Sequence, residues 1–213
     1  MKELIKTFWT DNAPYKGLNE WERVDARHTN EPYIRPILDS LYGKILEIGC
    51  GLGYDTFWLR LQKKDVTPID LSPENAREAG GLCMDAEELG FFDNTFDTVY
   101  SFGVLHHTPD TQKAIDEIYR VLKPKGKIVI MIYHKGYAYW ILKLLGKSMN
   151  DYDHTPLSKL YSTKEAYHLF RRFRNLSIEL TTYAPNKCVW FLFTHCKFLM
   201  DRFGSFLIIR GEK

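Results

Sequence analysis

Cysteine is scarce in this chain of 213 residues. Cys50, Cys83, Cys188 and Cys196 show neither the paired spacing of a disulfide framework nor that of a zinc site. Histidine forms no tract beyond His106-His107, so no metal centre is expected. Long apolar runs are also missing. The two most hydrophobic, residues 128–133 and 188–196, fall far short of the ~20 residues that a spanning helix needs. The opening MKELIKTFW has no apolar signal core. Internal repeats and low-complexity linkers are absent. These absences together point to a reduced, cytoplasmic, globular protein. A composition of 45% hydrophobic and 26% charged residues excludes disordered, collagen-like and mucin-like chains.

Net charge is small too, at +2, but it is unevenly placed. Residues 1–110 carry 11 Lys and Arg against 19 Asp and Glu, whereas residues 111–213 carry 18 against 8. A basic second half suits an anionic ligand, nucleic acid or a membrane surface, or simply a solvated face. Aromatics, by contrast, are abundant. Five Trp, thirteen Tyr and thirteen Phe exceed what one modest core needs, so some are expected to line a pocket or a contact surface.

Between residues 43 and 134, short apolar runs alternate with amphipathic stretches. KILEI (44–48), DVTPID (65–70), residues 82–85, FDTVYSF (96–102) and KIVIMIY (127–133) read as strands. Tyr54, Phe57, Trp58 and Leu61 recur at helical spacing, as do Ile115, Ile118, Tyr119 and Leu122. Ser72-Pro73-Glu74 reads as a helix cap followed by proline in the first turn. Lys123-Pro-Lys-Gly126 is expected to stop a helix and turn the chain. Residues 20–27 and 137–145 read as helices, and Thr163 as the cap of a helix that buries Ala166, Leu169, Phe170 and Phe173. Residues 176–183 and 206–210 read as two last strands, with an apolar helical insert at 186–202. Strand–helix alternation with short connections predicts a mostly parallel α/β sheet with helices on both faces, binding ligands beyond the carboxyl ends of its strands.

The chemistry is expected at those ends. Glu47-Ile-Gly49-Cys50-Gly51-Leu-Gly53 follows the first strand, and such glycines let backbone N–H groups approach a ligand. Its G-x-G-x-G spacing departs by one residue from the dinucleotide fingerprint. Asp70, 17 residues after Gly53, ends the second strand and can accept both hydroxyls of a ribose. Asp85-Ala86 ends the third and can accept from an exocyclic amine. Ser101-Phe102-Gly103 ends the fourth and can wall the far end of the ligand.

The runs ILEIGCGLGYDT, VTPIDLSPENA, MDAEELGFFDNTFDTVYSFGVLHHTPD and IYRVLKPKGKIVIMIYHK, in this order over about residues 43–134, resemble class I S-adenosylmethionine-dependent methyltransferases. The branch most similar contains the ubiquinone/menaquinone biosynthesis C-methyltransferases. The flanking EWERVDARHTNEPYIRPI and HTPLSKLYSTKEAYHLFRRF resemble a looser bacterial and archaeal subgroup of small-molecule methyltransferases. The resemblance implies a Rossmann-like sheet of seven strands, the last antiparallel. It implies S-adenosylmethionine as cofactor and S-adenosylhomocysteine as product. It also implies that Glu47 anchors a loop, Gly49 to Gly53 with Cys50, that passes under the methionine portion. Asp70 would take the ribose hydroxyls, Leu71 would pack on adenine, and Asp85 with Ala86 would read the adenine edge.

Methyl transfer from a sulfonium is mostly a matter of positioning, with a general base where the acceptor is O or N. His106 is the first candidate base, followed by His134 and His154. Residues 1–42 are expected to form a helical lid before the core at 43–134, and residues 135–213 to supply substrate-side helices and the last strands of a single domain. In the lid, Phe8, Trp9 and Tyr15 offer stacking faces, Trp21 and Tyr33 packing faces, and Arg27 with His28 a partner for the cofactor carboxylate. The loop 148–162 is expected to close over a small apolar or aromatic acceptor. Apolar segments 137–145 and 189–200 with a basic rim leave a lipophilic acceptor, a peripheral membrane contact and a homodimer open. A tRNA-modifying enzyme and a non-catalytic S-adenosylmethionine-binding protein are the alternatives.

Overall fold

The computed structural model describes residues 1–136, 144, 146, 155–181 and 205–213. The expected helix at 137–145 apart from residue 144, the expected helix at 186–202, the base candidate His154 and residues 148–153 of the loop 148–162 lie outside the described residues. Before the first strand come α1 (Lys2–Asp11), α2 (Glu20–Asn30) and α3 (Ile34–Ser40). Then follow β1 (Lys44–Ile48), α4 (Tyr54–Leu61), β2 (Asp65–Asp70), α5 (Pro73–Glu78), β3 (Leu82–Cys83), β4 (Phe96–Phe102), α6 (Thr111–Val121), β5 (Leu122–Tyr133), α7 (Thr163–Leu169), β6 (Arg174–Thr181) and β7 (Phe206–Glu212).

The strands form one seven-stranded sheet in the order β3-β2-β1-β4-β5-β7-β6. Pairing is parallel from β3 to β5, and β7 runs antiparallel to both β5 and β6. Successive side chains on a strand face opposite sides, and this alternation builds two cores. Leu46, Ile48, Val99, Ile128, Ile130 and Ile132 meet α6 and the α7 region on one face. Ile45, Tyr100, Val129 and Met131 meet α3 and α4 on the other. Among the described residues, no helix is long and apolar enough to cross a membrane.

Local departures from the sequence reading have identifiable causes. β3 stops at Cys83, so Asp85 sits in a turn that is fixed by a bridge to Glu88 and by the Glu87 N–H donating to Asp85 Oδ1. Lys123-Pro-Lys-Gly126 does not separate helix from strand. β5 begins at Leu122, pairs it with Phe96, and absorbs the irregularity as a register shift between Phe96 and Thr98. α7 is capped by Ser162, not Thr163. Ser162 Oγ accepts from the Glu165 N–H while the Glu165 carboxylate accepts from the Ser162 N–H, a reciprocal capping box. α1 falls within the expected helical lid and buries only Ile5, so it lacks a continuous apolar stripe.

Candidate active site

The carboxyl ends of β1, β2 and β4, with the turn after β3, open onto one cavity of about 240 Å³. Gly49, Gly51, Asp70, Leu71, Asp85, Ala86, Phe102 and Arg27 all line it, so the topology brings eight sequence-expected residues together. The loop after β1 accounts for the floor. The Gly49 and Cys50 N–H groups donate to the Ile69 carbonyl at 2.8 and 3.0 Å, tying loop to β2. Gly49 has φ +75°, and a Cβ there would lie 2.1 Å from Val104 Cγ2. Gly53, at φ +82°, is the N-cap of α4 and packs so closely on Ala79 that a Cβ would lie 2.8 Å from its Cα. Side chains at these two positions are excluded, which leaves the Gly49 backbone against the cavity and lets Gly53 pack on Ala79 behind it.

Asp70 is 8% exposed. Its Oδ1 accepts from the Ser72 N–H at 2.8 Å and its Oδ2 from the Gly51 N–H at 2.9 Å. Burial pushes its pKa up, and these two backbone hydrogen bonds oppose the shift. Further lone pairs of the carboxylate remain for a ligand. Asp85 Oδ2 accepts from the Lys2 ammonium at 2.6 Å, and Lys2 also reaches Glu87 at 2.7 Å. These bonds bring α1 over the β3 end of the cavity. Thr10 Oγ1 pairs with Ser72 Oγ at 2.7 Å, Asn75 Nδ2 donates to the Trp9 carbonyl at 3.2 Å, and the Trp9 ring lies 5.0 Å from that of His107. The expected lid aromatic Trp9 therefore faces the cavity, whereas Trp21 packs on Phe57 and Tyr33 lies near Phe102.

Other expected site residues do not line the cavity. Glu47, Cys50, Gly53 and Ser101 are behind it. Glu47 and Ser101 precede Ile48 and Phe102, which line it, and alternation along a strand turns neighbours to opposite faces. Ser101 Oγ donates to the Ile48 carbonyl. Glu47 instead accepts from the Thr56 hydroxyl at 2.5 Å, which ties β1 to α4.

Burial, with Asp55 adding to it, pushes the Glu47 carboxyl from 4.5 up to about 8. The folded protein then keeps a proton that the unfolded chain releases, so stability is full below about pH 4.5 and falls as pH rises toward 8. Glu47→Gln should remove that loss. In thermal melts its Tm relative to the parent should rise by roughly 3 °C or more between pH 5 and pH 8, the equivalent of at least one pKa unit. An identical Tm difference at both pH values would mean that Glu47 is ionised in the fold.

His106 is displaced from its expected role. It is fully buried, stacks at 3.8 Å on Tyr133, and both ring nitrogens lack a hydrogen-bond partner among the described residues. Burial, reinforced by His107, holds its pKa well below the ordinary value, so it is a neutral packing residue outside the cavity. His134 bridges to Tyr161 past the end of β5, also outside. Among the described residues, the neighbour His107 is the imidazole that lines the cavity, with Tyr133, Met131 and Phe206. Its Nδ1 lies 2.6 Å from the Leu157 carbonyl. A carbonyl only accepts, so Nδ1 carries the proton, and in the neutral form of the ring the basic nitrogen is Nε2. No periodicity distinguishes two adjacent histidines in a loop, and the single 3-10 turn at Leu105–His107 decides between them.

Comparison with known proteins agrees with this geometry. Residues 46–130 match the family model described as "Methyltransferase domain". A ubiquinone biosynthesis O-methyltransferase from Histophilus somni is 25% identical over 193 residues, covering 78% of this chain and 79% of that protein. A ubiquinone/menaquinone biosynthesis C-methyltransferase from Rickettsia bellii is 30% identical over 148 residues, covering 55% and 59%. The chain spans 12%, 53% and 35% of three other curated methyltransferases, less than two thirds of their own length. Among solved structures, a geranyl diphosphate C-methyltransferase from Streptomyces coelicolor superposes with a TM-score of 0.71 at 13% identity, over 99% of this chain and 97% of that one. The fold is thus the methyltransferase sheet with an antiparallel last strand, as the sequence led one to expect.

Proposed function

We propose that this chain, which belongs to the class I S-adenosylmethionine-dependent methyltransferases through residues 46–130, transfers a methyl group to a small apolar or aromatic acceptor. The observation that carries the reading is the single cavity that joins the Gly49–Gly51 backbone, Asp70 and Asp85 to a wall of Trp9, His107, Tyr133 and Phe206. When bound, S-adenosylmethionine supplies a methyl group on a sulfonium that is already electrophilic.

The work left to the protein is binding, orientation and exclusion of water. Asp70 accepts the ribose hydroxyls and Asp85 the adenine amine. Gly49 and Gly51 let the backbone pass beneath the methionine portion. Trp9 and Pro14 from the N-terminal segment, with Tyr133 and Phe206 from β5 and β7, form an apolar acceptor compartment with few fixed charges. His107, not His106, takes the proton of an O or N acceptor, because Nε2 is the basic nitrogen of its fixed tautomer.

Calorimetry should detect S-adenosylmethionine and S-adenosylhomocysteine and no binding of NAD. Release of S-adenosylhomocysteine in the presence of a panel of phenols, catechols and apolar amines should then identify acceptors. Tight NAD binding with no response to S-adenosylhomocysteine would sink the cofactor assignment. Turnover confined to structured RNA would sink the small-acceptor assignment.

A further inference from the structure

Residues 155–161 lead into the capping box of α7, and none of them lines the cavity. They are bonded instead to the turn that carries His107. Tyr161 forms a parallel bridge with His134. Its N–H donates to the Tyr133 carbonyl at 3.0 Å, and its carbonyl accepts from the Lys135 N–H at 3.0 Å. The Tyr161 hydroxyl donates to Thr111 Oγ1, in the first turn of α6, at 2.9 Å. The Lys159 N–H donates to the His106 carbonyl at 2.9 Å. Its ammonium donates to the Pro109 carbonyl at 2.7 Å and, at 3.4 Å, to Thr111 Oγ1. These bonds fall on the residue before His107 and on Pro109 and Thr111 after it.

Their combined effect is to place one carbonyl. Leu157 O lies 2.6 Å from His107 Nδ1. That oxygen belongs to the backbone, so its position is set by whatever holds the chain beside it. Lys159, two residues on, does so through both its N–H and its ammonium. The two neutral tautomers of an imidazole lie close in energy, so one hydrogen bond decides between them. With the proton on Nδ1, Nε2 is an acceptor. With the proton on Nε2, that nitrogen is a donor and can take no proton from a substrate.

We propose that residues 155–161 form a strap that fixes the tautomer of His107, with Lys159 as the positioning residue that acts through the Leu157 carbonyl. The strap rests on the assignment of His107 as base above and adds to it the group that makes this ring a base. As an acceptor O–H is methylated, the O–CH3 bond forms, the C–S electron pair stays on sulfur and the hydroxyl proton passes to Nε2. The imidazolium so formed keeps its Nδ1–H on the Leu157 carbonyl. The bond that selects the tautomer therefore also stabilises the cation.

Nitrogen-15 NMR of histidine-labelled protein reads the tautomer directly and needs no acceptor. At about pH 8, where an ordinary imidazole is neutral, the parent should show His107 protonated at Nδ1 and unprotonated at Nε2. Loss of these signals in His107→Gln assigns them. Lys159→Met should move the proton to Nε2 or divide it between the two nitrogens, with S-adenosylhomocysteine affinity kept within about 2-fold. Lys159→Arg supplies a donor to the Pro109 carbonyl again and should return the parent pattern. Tyr161→Phe removes only the hydroxyl bond to Thr111 and should give a smaller shift in the same direction, with the backbone bridge to His134 intact. With a phenol or catechol that the parent methylates, Lys159→Met should lower kcat roughly 10-fold and leave KM within about 2-fold. A parent with the proton of His107 on Nε2 would overturn the strap. So would a Lys159→Met variant that keeps both the Nδ1–H pattern and the parent kcat. Full turnover in His107→Gln would strike the base assignment instead and leave the tautomer result standing.

Discussion

Replacing Asp70 by alanine should weaken S-adenosylhomocysteine binding about 100-fold, a loss of ~2–3 kcal/mol from charge-assisted bonds to two ribose hydroxyls. The carboxylate is buried, and in the folded protein it already serves the N–H groups of Ser72 and Gly51. The substitution therefore removes two things at once. It takes away the acceptor of the hydroxyls, and it releases the Gly51 amide that keeps the glycine loop in place. Asparagine is not a conservative substitute here. It keeps the shape, but one of its two terminal atoms becomes a donor that faces either the Gly51 or the Ser72 N–H. Both variants should bind far more weakly in calorimetry, with alanine accompanied by a small fall in Tm as two backbone donors lose their partner. An alanine variant whose affinity stays within about 3-fold of the parent would place the ribose on other groups.

Deleting residues 1–18 should leave a folded protein that turns over its acceptor at least ~100-fold more slowly, the scale of lost positioning. The sheet and both of its cores are complete without α1. None of the residues of either hydrophobic cluster comes from it. What α1 contributes is the roof. Lys2, Ile5 and Trp9, with Ala13 and Pro14 just beyond, line the cavity, and α1 is tied down by Lys2 to Asp85 and Glu87, by Thr10 to Ser72 and by the Trp9 carbonyl to Asn75. Its removal opens the acceptor compartment to water and takes away the ring that faces His107. Cofactor affinity should fall much less, because Asp70, the glycine loop and Arg27 remain. The comparison to make is initial rate against S-adenosylhomocysteine affinity, for full-length and shortened chains with the same acceptor from the phenol, catechol and amine panel. Undiminished turnover in the shortened chain would reduce α1 to a packing element. The acceptor would then be sought elsewhere on the cavity wall.

The contrast between these two experiments reflects how differently the two halves of the site are written. The cofactor half is encoded locally. Gly49, Gly51, Asp70 and Asp85 each follow a short apolar run, and any parallel sheet places the residues after such runs at one edge. The proposed acceptor half is assembled from α1, the turn before α6, β5 and β7, which are adjacent only once the sheet order puts β7 against β5. Glu31 escaped notice for the same reason. In sequence it lies one helical turn after Arg27, which pairs the two locally, but only the fold brings the pair to the cavity.

By itself, then, the sequence determined the alternation of strand and helix, the strand spans at 44–48, 65–70 and 96–102, the glycine loop and the two carboxylates that follow β2 and β3. These rest on hydrophobic period, turn residues and strand ends, which are properties of neighbours along the chain. Tertiary structure decided what those rules cannot reach. It chose His107 over His106 for the cavity, because a single 3-10 turn points one ring at Trp9 and buries the other against Tyr133. It turned Ser101 and Glu47 away from the site, although both sit at the right strand ends, since a strand alternates its faces and a neighbour took the inward one. It also made Asp55 the holder of Arg27, across 28 residues of chain. A carboxylate finds its cation by distance in space, and distance in space is fixed by packing.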